Sequence, residues 1–275
     1  MSALRGVPVR EALDSAVVAL SAAGVDTPRL DAEVLLVHAL GVDPARLVLD
    51  RDRPVEGPAV RAFQDAVRRR AVAREPVAYI TGVKGFRRLE LHVDGRVLIP
   101  RPETETLVEA ALDVPRGARV VDVGTGSGAV ALALKDERPD LAVAGTDRSA
   151  DALAVARANA ARLGLDVAFV EGDLLAGLEA DAVVSNPPYV EDSAPLQPEI
   201  ARHEPPVALY AGPEGLAVIR RLVAQVAASA ARFVALEVGF GQAGEVGDVL
   251  RDAGFAEVSA RRDLAGIERV VVGRR

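Results

Sequence analysis

Short apolar segments alternate with helical segments from Arg119 to the end of the chain, and this alternation constrains the fold more than any other feature. The strand candidates are RVVDV, LAVAGTD, VAFVEGD, DAVVSN and RFVALEV, with helical stretches such as SADALAVARANAARLG between several of them. The tail GFAEVSARRDLAGIERVVVG holds two further strand candidates. The pattern predicts an α/β fold, with a parallel sheet covered by helices on both faces.

The first 75 residues carry helical periodicity and no strand signal. The stretch VREALDSAVVALSAAG stops at Gly24, and DTPRLDAEVLLVHALG begins with a capping residue and a proline. Two more helical stretches, DPARLVL and GPAVRAFQDAVRRRAVA, follow. We therefore expect residues 1–75 to form a helical bundle. Its basic run RRRAVAR, residues 68–74, is interpreted as a solvated helix face that can contact a charged partner.

Residues 76–101 join this bundle to the α/β part. In FRRLELHVDGRVLIP, apolar and polar residues alternate around Asp94 and Gly95, which is a strong hairpin signal. We expect a β-hairpin joint here. The segment RPETETLVEAALD then predicts a helix with acidic residues in its first turn, and residues 102–275 are expected to form the α/β domain.

Composition excludes several classes of protein. The 275 residues contain no cysteine and three histidines, so we expect no disulfide and no metal site. The net charge of −7 argues against sequence-independent binding to nucleic acid. No apolar run approaches the roughly 20 residues that span a bilayer, and the N-terminus lacks the apolar block of a signal peptide. We expect a cytoplasmic protein with no membrane partner.

The loop DVGTGSG follows the first strand of the α/β part. Its spacing is G-x-G-x-G, which differs from the G-x-G-x-x-G of dinucleotide-binding folds. Glycines allow a tight turn and close approach of a ligand to the main chain, and the following helix directs its positive end at that ligand. The alternative is a glycine-rich turn without a ligand. The residues predicted to bind a cofactor here are Gly124, Thr125, Gly126, Ser127 and Gly128.

Acidic residues end the next two strands. Asp147 is predicted to accept hydrogen bonds from two ribose hydroxyls, the alternative role being a helix N-cap. Asp173 can accept a hydrogen bond from an adenine amino group, with Leu174 covering one face of the base; a solvated loop acid is the alternative. These strand ends outline a nucleoside site, for S-adenosyl-L-methionine (SAM) in preference to NAD.

The stretch SNPPYV follows the fourth strand. The Asn186 side-chain oxygen and the Pro187 carbonyl can each accept one proton of a planar NH₂ group, which directs the nitrogen lone pair at an electrophile. Pro187 and Pro188 stiffen the carbonyl direction, and Tyr189 can stack on the plane of the substrate. The loop is therefore predicted to bind an sp² nitrogen. A polyproline turn that closes the strand is the alternative.

The segments DVGTGSGAVALAL, SNPPYV and VLIPRPETETLVEAAL together closely resemble the HemK/PrmC family of protein-(glutamine-N5) methyltransferases. The resemblance includes AREPVAYITG, EPPVALYAGPEGL and DLAGIERVVVG, and it covers about 200 residues. IPRPETE narrows it to this family, because many methyltransferases share NPPY with a glycine-rich loop.

This resemblance implies SAM-dependent transfer of a methyl group to the Gln side chain in the Gly-Gly-Gln tripeptide of peptide chain release factors. It also implies a seven-stranded, Rossmann-like methyltransferase sheet behind an N-terminal helical bundle that binds the partner. The cofactor contacts of the family fall on 124–128, Asp147, Asp173, Leu174 and Asn186, and its substrate loop on 186–189. At Leu174 this sequence departs from the family, since many members have an aromatic residue there.

Other functions remain open at this point. An N6-adenine or N2-guanine nucleic-acid methyltransferase would use the same NPPY geometry, but we expect no direct nucleic-acid target because the chain is acidic. A non-catalytic SAM-binding module has no need of an intact NPPY. A dehydrogenase is disfavoured by the glycine spacing.

Overall fold

The computed structural model of the protein describes residues 6–175 and 177–275, and it divides into two compact units. The helical unit contains the chain up to Gly82 together with the segment Gln197–His203. The sheet unit contains Val83–Leu196 and Glu204–Arg275. The helical part therefore extends beyond the expected residue 75 and gains a later segment, while the hairpin belongs to the sheet unit. Residues 1–5 of the predicted bundle lie outside the described residues.

The helical unit is built from the amphipathic stretches that the sequence predicted. Its apolar side chains, such as Leu13, Leu20, Leu35 and Phe63, are buried together. A short fifth helix adds Ile80 to this core. Its helices are α1 (Val9–Ala22), α2 (Pro28–Leu40), α3 (Ala45–Leu49), α4 (Pro58–Arg68), a π-helical turn (Arg69–Ala73), α5 (Val77–Thr81) and, in the later segment, α9 (Pro198–His203).

The basic run in this unit is not the solvated face that we expected. Arg70 is buried, and its guanidinium lies 2.7 Å from the Asp31 carboxylate and 3.0 Å from that of Glu199. Arg74 also pairs with Glu199, at 2.6 Å, and Arg69 donates two hydrogen bonds to a nearby glutamate. Arg70 and Arg74 are one helical turn apart, so both point into the unit. The expectation was wrong because a run of like charges does not reveal which of its members meet buried acids.

The sheet unit contains the predicted α/β sheet. Its strand order is β5-β4-β3-β6-β7-β9-β8; strands β3 to β7 are parallel, β9 runs antiparallel to β7, and β8 runs antiparallel to β9. The predicted fold class is confirmed. The strands are β3 (Arg119–Val123), β4 (Ala142–Asp147), β5 (Ala168–Glu171), β6 (Ala182–Ser185), β7 (Phe233–Glu237), β8 (Glu257–Arg262) and β9 (Glu268–Arg274), and the helices are α6 (Glu105–Ala111), α7 (Ala129–Glu137), α8 (Ala150–Leu163), α10 (Ala217–Ala227) and α11 (Ala243–Asp252).

The central strands are buried on both faces. Val120 and Val184 pack in one apolar cluster with α6, α7 and α8, whereas Val121 and Val183 pack in another with α10 and α11. This alternation follows from the two-residue period of a strand. Because each fully buried valine or leucine contributes about 1.5–3 kcal/mol, the two clusters hold the carboxyl edge of the sheet in a fixed position.

A two-stranded hairpin precedes the sheet, but its turn lies elsewhere than expected. Strands β1 (Val83–Phe86) and β2 (Leu89–His92) pair antiparallel, so the chain turns at Arg87 and Arg88. Arg87 has a positive φ of 53°, its backbone N–H donates to the Glu105 carboxylate at 3.1 Å, and its guanidinium binds Glu137 at 2.7 Å. Acids on the following helices therefore select this turn, which a local turn signal cannot show.

The Asp94-Gly95 pair forms a separate, irregular turn after β2. The Asp94 carbonyl accepts a hydrogen bond from Val97 N at 3.1 Å, and its carboxylate accepts one from Arg96 N at 3.0 Å. The predicted hairpin around Asp94-Gly95 was therefore wrong, although a hairpin exists just before it.

The sheet order reverses beside β3, and this reversal positions the site. From β3 the chain adds β4 and β5 on one side and then places β6 on the other side of β3. Such a switch point leaves a crevice at the carboxyl ends of the strands, where ligands bind in open α/β sheets. Among the described residues, no helix has the length and apolar character needed to cross a membrane.

Candidate active site

A cleft lies at this carboxyl edge and brings together eight of the twelve residues predicted for the site. The loops after β3, β4, β5 and β6 each contribute to its wall. The eight residues are Gly124, Gly126, Asp147, Asp173, Leu174, Asn186, Pro187 and Pro188. Thr125, Ser127, Gly128 and Tyr189, the other four, lie in the loops that carry these residues.

The glycine-rich loop adopts the conformation for which glycine is needed. Gly124, Gly126 and Gly128 all have positive φ, at 71°, 55° and 83°. A Cβ atom on Gly124 or Gly126 would meet no other atom within 4 Å, so space is open above both residues. At Gly128 a Cβ would lie 3.0 Å from Leu132 and 3.3 Å from Phe169. The first two glycines therefore leave room for a ligand, and the third allows close packing of α7.

A buried acid that the sequence interpretation missed holds this loop. Asp122 accepts hydrogen bonds from the Thr125 hydroxyl at 2.6 Å and from Ala131 N at 3.2 Å. Burial raises the pKa of Asp122 to about 7. Thr125 therefore supports the loop through Asp122. The available signal was the acid at the first position of DVGTGSG, one residue before the strand ends.

Asp147 connects the glycine-rich loop with the next helix. Its carboxylate accepts hydrogen bonds from Gly126 N at 3.0 Å and from Ser149 N at 2.9 Å. Ser149 caps α8 by accepting from Ala152 N, so the N-cap role that we considered for Asp147 belongs to Ser149. A carboxylate has about four lone-pair sites, so Asp147 keeps capacity to accept further hydrogen bonds in the cleft.

The turn after β5 forms the outer rim of the cleft. Asp173 forms an ion pair with Arg221, and both side chains are more than half exposed. Leu174 has a positive φ of 55°, and its carbonyl accepts a hydrogen bond from the Thr146 hydroxyl at 2.6 Å. This bond fixes the turn that presents Leu174 to the cleft. Because Arg221 binds the Asp173 carboxylate, the predicted bond to an adenine amino group would share this acceptor.

Asn186 stands directly after β6, and its side chain is held on one side. The Nδ2 atom donates a hydrogen bond to the Thr104 hydroxyl at 3.1 Å. Pro187 is buried beside it. The loop is further fixed where Val190 N donates to the Leu209 carbonyl and Ala211 N to the Val190 carbonyl, each at 2.9 Å. The NPPY loop is therefore a rigid segment at the edge of the cleft.

Tyr189 does not line the cleft. Its ring packs against the buried cluster of α10 and α11, and its hydroxyl donates to the Glu237 carboxylate at 3.4 Å. Burial raises the pKa of Tyr189 above its usual value, and the charge of Glu237 raises it further. Stacking of Tyr189 on a substrate stays a prediction, and in this structure its ring supports the loop.

Two buried residues behind the loop were also missed. Thr104 is 3% exposed, and Glu237, the last residue of β7, is 1% exposed. Burial raises the pKa of Glu237 to about 7. A third buried acid, Glu204, accepts hydrogen bonds from Ile99 N and from the Arg101 guanidinium. For Thr104 the signal in the sequence was the RPETE segment, in which Arg101, Thr104 and Glu105 each have a hydrogen-bond partner.

The site fits SAM in two respects. The open space above Gly124 and Gly126 admits a ligand against the main chain, and Asp147 presents an anionic acceptor in the same cleft. Hydroxyl groups of a nucleoside are suitable donors to such a carboxylate.

Comparison with known proteins identifies the family to which the sequence is similar. Residues 11–82 match the family model described as PrmC N-terminal domain, and residues 102–203 match the Methyltransferase small domain. The "Release factor glutamine methyltransferase" of Deinococcus radiodurans is 44% identical over 97% of this chain and 98% of its own. The protein of the same name from Mycolicibacterium smegmatis is 42% identical, with the same two coverages.

A solved structure extends the comparison to the fold. A T. thermophilus 16S rRNA methyltransferase, in complex with AdoMet and guanosine, aligns with a TM-score of 0.50 at 17% identity. The alignment covers 70% of this chain and 49% of that one. The two chains share the methyltransferase fold.

Proposed function

The chain belongs to the family of release factor glutamine methyltransferases, and we propose that it methylates the side-chain nitrogen of the Gln in the Gly-Gly-Gln motif of peptide chain release factors. The chain is a SAM-dependent methyltransferase. The observation that carries the proposal is the similarity to release factor glutamine methyltransferases over 97% of the chain. The geometry that supports the chemistry lies at Asn186. Its Nδ2 is bound by Thr104, and the adjacent Pro187 is rigid and lines the same cleft. The resemblance to this family is confirmed. The alternative, a nucleic-acid base as substrate, has no comparable support.

The reacting nitrogen must be made a better nucleophile, because the lone pair of an amide nitrogen is delocalised into its carbonyl group. When bound, SAM would supply an electrophilic methyl group, and the amide nitrogen would release one N–H proton to solvent after accepting it. The Asn186 oxygen and the Pro187 carbonyl each accept one N–H of the substrate amide. Both contacts increase electron density on that nitrogen and fix the direction of its lone pair. The buried Pro187 and the two hydrogen bonds of Val190 keep the acceptors in place.

The cofactor is held by the other strands of the same edge. Gly124 and Gly126 would allow it to approach the main chain, Asp147 would accept hydrogen bonds from its ribose hydroxyls, and Leu174 would contact the base. Asp173, paired with Arg221, would accept a hydrogen bond from the base. Thr125, Ser127 and Gly128 keep the loop in shape, and Asp122 holds Thr125. Each role is tested by cofactor affinity, separately from the rate.

The helical unit supplies binding energy for the protein substrate. It exposes large apolar side chains, among them Val18, Val48, Leu49 and Val72, each at least 70% exposed. Apolar side chains of this kind suit a protein partner. Its arginines at 69, 70 and 74 are neutralised by acids, which disfavours direct binding of nucleic acid. Because the proposed substrate belongs to the translation machinery, we place the enzyme in the cytoplasm, with no membrane partner.

The direct experiment incubates the protein with labelled SAM and either a purified release factor or duplex DNA. Mass spectrometry of the digested release factor then locates the methyl group. We expect one methyl group on the Gln of Gly-Gly-Gln and no transfer to DNA. Labelling of DNA with none on the release factor would overturn the proposal.

The docking role is tested by surface substitution in the full chain. Deleting the first 75 residues would also remove Arg70 and Arg74, the ion-pair partners of Glu199. The double variant Val48→Ser/Leu49→Ser changes only exposed side chains and is therefore the better test. We expect KM for a folded release factor to rise about tenfold, with SAM affinity unchanged and the rate on a short Gly-Gly-Gln peptide unchanged.

The matched control for this variant is Leu264→Ser, which alters a fully exposed leucine of the sheet unit. It should leave KM for the release factor as it is. An unchanged KM in the double variant of α3 would remove that helix from the docking surface.

A further inference from the structure

Two buried polar residues stand behind the NPPY loop, and the chemistry proposed above leaves both without a role. Thr104 ends the 3-10 turn Pro102–Thr104 in the RPETE segment. Glu237 ends β7, the strand next to β6. A carboxyl group that is 1% exposed is costly to bury unless it accepts hydrogen bonds. Both residues contact the NPPY loop.

These residues form one contiguous polar cluster. Asn186 Nδ2 donates to Thr104 Oγ1 at 3.1 Å, and the Thr104 side chain adjoins the Glu237 carboxyl group closely enough to lower its pKa. The Tyr189 hydroxyl reaches Glu237 Oε1 at 3.4 Å. Within the described part of the chain, Glu237 Oε2 has no hydrogen-bond partner. Glu237 therefore bonds to Tyr189 at one end of the NPPY loop and lies beside Thr104, which bonds to Asn186 at the other end.

The protonation state of Glu237 determines which group donates and which accepts in each hydrogen bond of this cluster. An ionised carboxylate only accepts hydrogen bonds, so both hydroxyls must donate to it. Once the Thr104 hydrogen is directed at Glu237, its oxygen can only accept from Asn186. The amide of Asn186 must then turn its NH₂ group to Thr104, which leaves its oxygen free to accept from a substrate. An Asn amide in the opposite orientation would present N–H groups to the N–H groups of the substrate.

We propose that Glu237 is a positioning residue which, acting through Thr104, fixes the Asn186 amide with its oxygen toward the substrate, and which holds Tyr189 in the same loop. The proposal rests on the proposed function, because it assigns the substrate a planar NH₂ group. It also gives the RPETE segment a role, since Thr104 belongs to that segment.

This relay, from Glu237 through Thr104 to Asn186, makes the reaction sensitive to pH near neutrality. Burial raises the pKa of Glu237 to about 7; the nearby charge of Glu103 raises it further, whereas the Thr104 and Tyr189 hydroxyls and the Arg269 charge oppose the rise. The charge of Arg101 lowers the pKa of Tyr189, and the Asp263 carboxylate forms an ion pair with Arg269 at 3.2 Å. When Glu237 is protonated it can donate to Thr104. Thr104 can then donate to Asn186, which reverses the amide, so kcat falls as the pH falls through about 7.

The first test removes the relay at Thr104. Thr104→Val keeps the shape of the side chain and removes its hydroxyl, whereas Thr104→Ser keeps the hydroxyl. We expect Thr104→Val to lower kcat on release factor by about tenfold or more, with SAM affinity within about twofold, and Thr104→Ser to restore most of the rate. Ser229→Ala is the matched control, since this hydroxyl makes two hydrogen bonds just before β7, at the opposite end of that strand from Glu237.

The second test follows kcat against pH at saturating SAM and release factor. The wild type should gain activity through about pH 7, and Glu237→Gln should lose this step, because it has no proton to release. Asp122 also has a pKa raised to about 7, so Asp122→Asn serves as the control and should retain the step.

Failure of the relay and failure of the proposed function are distinguishable. If wild-type protein does not methylate release factor, the function itself is wrong. If the wild type is active while Thr104→Val is as fast, or while Glu237→Gln keeps the step near pH 7, the relay is wrong and the function stands.

Discussion

The two halves of the cleft are built by different means. On the cofactor half, after β3 and β4, hydrogen bonds of the main chain fix the shape. Gly124 N and Thr125 N donate to the Thr146 carbonyl, and Gly126 N donates to Asp147. Gly128 adds close packing of α7. Glycine conformation and backbone donors therefore determine this half.

On the substrate half, after β6 and β7, a cluster of buried polar side chains adds to the main-chain hydrogen bonds of Val190. Asn186 bonds to Thr104 and Tyr189 bonds to Glu237, and the four residues form a polar cluster at the NPPY loop. Each member is a single hydroxyl, amide or carboxyl group with few partners.

This difference predicts whether a substitution in each half changes cofactor binding or the reaction rate. Loss of a backbone-defined contact should weaken cofactor binding and leave the rate at saturation nearly unchanged. Loss of a buried side chain in the relay should slow the reaction and leave cofactor binding nearly unchanged, because truncation of one partner leaves the others unsatisfied.

The largest effect is expected at Asn186. Asn186→Ala removes an acceptor of the substrate amide, so kcat on release factor should fall by about a hundredfold or more. SAM affinity, measured by calorimetry, should stay within about threefold of wild type. An equal loss in rate and in affinity would show that Asn186 serves mainly the cofactor half.

A smaller effect of the opposite kind is expected at Asp147. Asp147→Ala removes a charge-assisted acceptor and a bond to Gly126 N, so the Kd for SAM should rise about tenfold or more. Its kcat at saturating SAM should remain within about threefold. Unchanged affinity in a folded variant would exclude Asp147 from the cofactor site.

The packing of the cofactor loop can be tested at Gly128. Gly128→Ala combines a φ of 83° with contacts of 3.0–3.3 Å, so the free energy of unfolding should fall by about 1–3 kcal/mol. Gly244→Ala is the control, because Gly244 lies on an exposed face of α11 with nothing within 4 Å. It should be neutral or stabilise by up to about 1 kcal/mol. Urea unfolding measures both variants.

The last effect concerns stability and pH at Asp122 and leaves the reaction rate aside. Its pKa is raised from 3.8 to about 7, so the folded protein binds this proton more tightly than the unfolded chain does. Stability from this group is therefore present at low pH and is lost as pH rises through about 7. Asp122→Asn removes this loss of stability, because the asparagine amide does not ionise. The free energy of unfolding of the variant relative to wild type should increase by about 1–3 kcal/mol between pH 5 and 8. A pH-independent difference would contradict the raised pKa.

The sequence predicted the cofactor half better than the substrate half, for a physical reason. A glycine with positive φ, or an acid at a strand end, is a local requirement and leaves a local pattern, as in DVGTGSG and at Asp147. The roles of Thr104 and Glu237 depend on partners 82 and 48 residues away along the chain. No local pattern carries that information.

The same limit explains the two errors elsewhere. The hairpin turn at Arg87 is set by Glu105 and Glu137, which lie on later helices. Arg70 is buried because Asp31 and Glu199 meet it in the folded unit. In each case an acid far away in the sequence determines the structure, and the local pattern does not show that acid.

The most direct test of the difference between the halves is a single-turnover measurement with Asn186→Ala and Asp147→Ala in parallel. Both variants are saturated with SAM, and methyl transfer to release factor is followed. The account predicts that Asp147→Ala recovers close to the wild-type rate, because only its binding is impaired, whereas Asn186→Ala stays slower by about a hundredfold. A wild-type rate in SAM-saturated Asn186→Ala, or a persistent defect in SAM-saturated Asp147→Ala, would contradict it.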